Sequence, residues 1–118
     1  MNIQIFGKAK CFDSRKAERY FKERKIKYQY VDLAKFGLSK GEYTSVKNAI
    51  GKVSKLIDEK SKEYKNLFIE YLADPNDAEA KLIDNPGLFK TPIVRNGRKA
   101  TVGYQPEKWA EWINASSN

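Results

Sequence analysis

An α/β fold with a four-stranded mixed sheet is predicted by three observations on this sequence. Residues 2–6 and 27–33 alternate apolar and polar side chains as strands do, with a single helical stretch between them. Residues from about 39 to 85 read as a run of short helices. Two further strand-like runs flank Asn96-Gly97, the strongest short-range hairpin signal in the chain. The order is therefore βαβ, a helical insertion, then ββα, which places helices on the faces of one sheet.

Each element has its own signal. Gly7 breaks the first strand, and Ala17, Tyr20 and Phe21 recur at helical spacing among charged neighbours, so a helix starts at about Asp13 or Ser14. The second strand follows after a short turn, and such a brief crossover makes it a parallel, right-handed neighbour of the first. Gly37 interrupts the chain. Ser39 and Glu42 then make a capping box for a helix with Tyr43, Val46 and Ile50 on one stripe, stopped by Gly51. A shorter piece covers 53–57. Tyr64, Leu67, Phe68 and Tyr71 lie at i, i+3, i+4 and i+7, which predicts a helix with an aromatic stripe packed in the core. Asp74-Pro75 opens another helix that turns Leu82 and Ile83 inward and ends at Asn85-Pro86-Gly87. Pro92 cannot occupy the middle of a central strand, so it marks a strand's entry, a place that admits a cis bond. Gln105-Pro106-Glu107 starts the last helix, whose Trp109, Trp112 and Ile113 dock on the sheet before residues 115–118 fray.

Composition bounds the chemistry. A chain of 118 residues fits a single domain spanning residues 1–118. One cysteine excludes an intramolecular disulfide, and the early residues hold no long apolar run, so a reducing cytoplasm is the expected home, with no membrane contact. The absence of histidine removes His-based triads and the commonest zinc ligand, so no metal is expected. A net charge of +8 suits an anionic substrate or an acidic partner. Lysines spread among acids, with no helix-turn-helix spacing and no aromatic RNA-binding signature, argue against direct nucleic-acid binding.

Chemistry centres on Lys10-Cys11-Phe12-Asp13-Ser14-Arg15, where the first strand hands over to the first helix. Cys11 falls at or just before the helix N-terminus, where unpaired N–H groups and the positive end of the helix dipole favour a thiolate. Lys8, Lys10 and Arg15 add positive charge nearby and Asp13 opposes it, so the thiol should ionise below the ordinary pKa of about 8.5.

Taken together, these residues resemble the ArsC/Spx family, a thioredoxin-like fold group of glutaredoxin-dependent arsenate reductases and Spx transcriptional regulators. The resemblance rests on Cys11 and Ser14 in a C-x-x-S arrangement, Arg15 after it, the helical insertion, Thr91-Pro92-Ile93-Val94 at the family's cis-proline loop, and Val102-Gly103-Tyr104 as an Spx-type last strand. It implies an ArsC-like thiol oxidoreductase. Cys11 is the expected nucleophile, Ser14 its stabilising donor and Arg15 its charge partner. The substrate edge is expected at Thr91 and Pro92, with Lys8, Lys10 and Arg95 as the available charges. No bound cofactor is implied. Glutathione or glutaredoxin would supply the second thiol to a monomer.

The reductases' arginine clamp is not matched. An acid stands where the insertion arginine aligns within Leu56-Ile57-Asp58-Glu59-Lys60, Thr91 precedes Pro92, and Tyr104-Gln105 occupy the place of the third arginine. Gly7 and Lys8 replace a His-Asn pair, and Phe12-Asp13 a Gly-Thr pair. A bidentate clamp is the specific way to hold a tetrahedral oxyanion, so arsenate reduction loses most of its support from the resemblance. The alternative it offers is an Spx-like, non-catalytic regulator that binds RNA polymerase or another protein. With Ser14 in place of a second cysteine, no disulfide switch can form at this motif.

Overall fold

In a computed structural model, which describes residues 1–116, the sheet runs β2-β1-β3-β4. β1 (Ile3–Gly7) and β2 (Tyr28–Asp32) are parallel across α1 (Phe12–Glu23), in the βαβ sense expected from the brief crossover. β3 (Ile93–Asn96) lies antiparallel on the other side of β1, pairing Phe6 with Ile93 and Ile3 with Asn96. β4 (Lys99–Val102) closes the sheet as an antiparallel edge. Thr91-Pro92 is a cis peptide at the entry to β3.

Between β2 and β3 the insertion comprises α2 (Leu33–Phe36), α3 (Lys40–Ile50), α4 (Lys62–Asn66) and α5 (Pro75–Asp84), linked by short 3-10 turns. The Ser39–Glu42 capping box forms in both directions, and Asp74 caps α5 with Pro75 in its first turn. α6 (Pro106–Ser116) follows β4.

Period-two alternation along β1 splits the core between the sheet's faces. Ile3 and Ile5 pack with Ala17, Phe21, Val94 and Trp109 under α1 and α6, while Phe6 and Ile93 pack with Leu33, Val46, Leu56 and Leu82 under the insertion. Trp109 is fully buried, and its indole N–H donates to Thr101 Oγ1 at 2.8 Å. A buried Trp keeps its place only with such a partner.

Three sequence expectations differ from the structure, and one element is additional. The stripe Tyr64, Leu67, Phe68 and Tyr71 does not lie on one helix: α4 ends at Asn66, and Phe68 takes a left-handed conformation with φ 55°. That turn resets the helical phase, so Ile69 is buried while Phe68 and Tyr71 are exposed. Ile83 likewise faces solvent, and Leu82 is the buried residue of α5, with Ala78 packed beside it. The β3–β4 turn is shifted by one residue, because Asn96 pairs with Lys99 and leaves Gly97, with φ +61°, and Arg98 as the loop. α2 was not foreseen, since Asp32 both ends β2 and caps a new helical turn through the Ala34 N–H. Of the fraying expected at the C-terminus, Ala115 and Ser116 are still helical and the remaining two residues lie outside the described chain.

Candidate active site

Cys11 is the N-cap of α1, with φ −92° and ψ 114°, so its side chain stands where the first helical N–H groups converge. The turn that brings it there is closed by Cys11 N–H donating to the Lys8 carbonyl at 3.1 Å. The helix start presses against the end of β1: a Cβ on Gly7 would meet Ser14 Oγ at 2.8 Å and the Tyr30 hydroxyl at 2.9 Å. Only glycine permits that approach. Ser14 is buried there, and its hydroxyl accepts from the Lys8 N–H at 3.3 Å.

Across the sheet the cis-proline loop supplies the other half of the site. Thr91 Oγ1 lies 3.2 Å from Cys11 Sγ and donates to it, while Sγ lies 3.7 Å from the Thr91 carbonyl. Partial burial pushes the Cys11 thiol up, but hydrogen bonds from the Ser14 hydroxyl, the Thr91 hydroxyl and the backbone N–H groups of Ser14 and Asp13 outweigh it. The net effect holds the thiol below its ordinary value. Donors aimed at sulfur stabilise the anion, whereas the thiol can use few of them. The sulfur is thus half-exposed at a positive helix end, a setting that favours the thiolate.

Of the cations expected around it, Lys8, Arg15 and Arg95 bond to other groups. Lys8 Nζ donates to the Gly87 carbonyl at 2.6 Å, tying the β1–α1 loop to the turn before β3. Arg15 donates to the Ala9 carbonyl at 3.1 Å, so it braces the Cys11 loop rather than pairing with sulfur. Lys10 is exposed. Arg95 pairs with Gln4 across the sheet, toward the end of β1 remote from Gly7, and donates to Gln4 Oε1 and Ser45 Oγ. It is out of place as a substrate contact for Cys11. Cys11, Ser14 and Thr91 are therefore brought together, with Pro92 fixing the loop, and Arg95 is not.

Cys11 and Thr91 open onto a groove of about 1010 Å³ that follows β4 between the insertion and α6. Its cations are Lys55, Lys60, Lys90, Arg98, Lys99 and Lys108, against the acids Asp13, Asp58 and Glu59. These lysines come from separate elements, and no local run in the sequence marks them as a set. Among the described residues no cluster of three metal-ligating side chains converges, and no helix is long and apolar enough to cross a membrane.

Comparison with known proteins gives a consistent picture. The ArsC family model matches residues 6–112. The global transcriptional regulator Spx of Staphylococcus saprophyticus is 27% identical over 108 residues, covering 90% of this chain and 82% of that protein. Spx 2 of Oceanobacillus iheyensis, also a global transcriptional regulator, is 28% identical over 115 residues, covering 96% and 84%. Among solved structures, the arsenate reductase of Vibrio cholerae superposes with a TM-score of 0.81 at 25% identity, covering 94% of this chain and 97% of that one.

Proposed function

The chain belongs to the ArsC family and has its thioredoxin-like fold, and from that premise we propose that it is a single-cysteine thiol oxidoreductase. The observation that carries this reading is the Cys11 sulfur at the α1 N-terminus, 3.2 Å from the Thr91 hydroxyl and open to the groove. The Cys11 thiolate attacks one sulfur of a disulfide such as oxidised glutathione. A new S–S bond forms, and the second sulfur leaves with the bonding electron pair and takes a proton from solvent. A second thiolate, from glutathione or glutaredoxin, then attacks the mixed disulfide and returns Cys11 as thiolate.

Oxyanion reduction has less support. Arg15 and Arg95 are committed elsewhere, and Arg98, the arginine that lines the groove, stands at the β3–β4 turn rather than beside Cys11. In a glutaredoxin-coupled assay arsenate should give no turnover. The direct test of the leading reading is incubation with oxidised glutathione followed by intact-mass measurement, beside the pH profile of alkylation. One glutathionyl group on wild type and none on Cys11→Ser is expected, with an alkylation midpoint below about 8.5. No adduct together with a midpoint at or above that value would place Cys11 among inert thiols.

A second reading is favoured by the relatives named as global transcriptional regulators. On that reading the chain binds a protein of the transcription machinery, RNA polymerase being the partner to try, without using the thiol. Equal capture of purified polymerase by wild type and Cys11→Ser, with no glutathionyl adduct on wild type, would favour it over the first.

A further inference from the structure

We infer that the outer edge of β4 receives an extended acidic segment of a partner protein as a fifth strand. β4 is the last strand of the sheet and pairs with β3 alone. With Asn96 opposite Lys99 around a two-residue loop, backbone groups alternate along β4: Lys99 and Thr101 bond inward to β3, and Ala100 and Val102 point outward. Two bonds fix this phase. The Gly103 N–H returns to the Pro92 carbonyl at 2.8 Å, and the outward Val102 carbonyl is taken by Gln105 Nε2 at 2.7 Å. What remains on the edge is the Ala100 N–H and carbonyl and the Val102 N–H, all facing the groove.

That groove is shaped and charged for a particular guest. It follows β4 from Arg98 to Val102, with Lys55 on the insertion side and Lys108 on the α6 side, and continues to Thr91 and Cys11. Six cations against three acids give it a positive field, which favours carboxylate side chains. Alternating backbone donors and an acceptor match a polypeptide, whereas a DNA sugar-phosphate backbone can only accept. Among the described residues the groove has no stacking platform, since its lining aromatic, Trp112, is 7% exposed. The four residues of β4 offer room for a segment of about four to six residues, the length of an ordinary strand. This binding does not depend on the reactivity of Cys11, so it stands or falls apart from the proposed thiol chemistry.

The test uses Cys11→Ser, which removes thiol reactions, and three probes: a peptide of alternating Glu and Val about eight residues long, its Lys-Val counterpart, and an oligothymidine of similar length. The acidic peptide should bind, the basic one should not, and binding should slow hydrogen exchange at the Ala100 and Val102 amides. Charge reversal at Lys99 and Lys108 together should weaken binding about tenfold. Ala100→Pro deletes an N–H the sheet does not use, a change tolerated at an edge, and should weaken peptide binding about tenfold at an unchanged thermal midpoint. Should that variant fail to fold, the exchange measurement still decides. Binding without protection of these two amides, equal binding by folded Ala100→Pro, tighter binding of the oligothymidine, or no binding of the acidic peptide would each overturn the inference.

Discussion

Thr91 adds to what the Ser14 hydroxyl does for the charge on the sulfur, and among the described residues its hydroxyl is the side-chain donor that reaches Cys11 from outside the α1 turn. Thr91→Val keeps the shape of the side chain and removes that donor. The alkylation midpoint of Cys11 should rise by about one pH unit, the low end for one hydrogen bond to an anion, while Thr91→Ser should leave it nearly unmoved. The sign carries over to stability. A thiol held below its unfolded pKa adds stability that is fully present above that unfolded value and is lost as pH falls through the folded one. The excess urea midpoint of wild type over Cys11→Ser should therefore grow with pH, and grow less in the Thr91→Val background. This tuning was only half legible in sequence. A cysteine before a helix can be read from neighbouring residues, but the direction of a long cation cannot. Lys8 and Arg15 are close to Cys11 along the chain, yet carbonyls of Gly87 and Ala9 claim them.

Helix ends show what local sequence specifies and what it leaves open. α1 finishes in a Schellman turn: the Ile26 N–H returns to the Phe21 carbonyl at 2.9 Å, the Lys25 N–H to Lys22 at 3.0 Å, and Lys25 itself sits at φ 57°. A lysine pays for that left-handed backbone where glycine would not. Lys25→Gly should raise stability by about 0.5–1 kcal/mol, read as a higher urea midpoint at constant slope. At the opposite end of α1 the demand is reversed. Gly7→Ala would drive a methyl into Ser14 Oγ, with Tyr30 closing the other side. It should cost about 1–3 kcal/mol and raise the Cys11 alkylation midpoint by displacing Ser14. Capping boxes and proline starts were readable because their bonds span three or four residues. The Tyr64 to Tyr71 pattern misled for the same reason. Its i, i+3, i+4, i+7 spacing holds only while the helix continues, and the left-handed turn at Phe68 ends it under tertiary packing that buries Ile69 instead.

At the scale of the whole molecule, the sheet was legible because the alternation of β1 specifies two faces and the crossover length specifies which neighbours are parallel. The groove was not, since its walls join residues 49–60 to 98–112 only after the sheet has formed. The insertion wall holds a contact that no periodicity announces. Glu79 on α5 accepts from the Tyr43 hydroxyl at 2.8 Å and pairs with Lys47 Nζ at 2.7 Å, pinning α5 to α3, whose last residues line the groove. The bond from Lys47, then that from Tyr43, holds the Glu79 carboxyl below its usual range despite some desolvation. A lowered carboxylate contributes stability that is present above its unfolded pKa and lost as pH falls through the folded value. Acidification should therefore release the clamp between these two helices. Hydrogen exchange at the α3 and α5 amides, corrected for its intrinsic pH dependence, should accelerate on acidification in wild type. Glu79→Gln retains an acceptor for Tyr43 but no charge for Lys47. Its exchange in these helices should already be about two- to fivefold faster at neutral pH, the scale of a partly exposed ion pair, and should lack the acid-induced step. A wild-type profile flat through the carboxylate range would show that packing of Val46, Leu56 and Leu82, rather than this clamp, sets the wall of the groove.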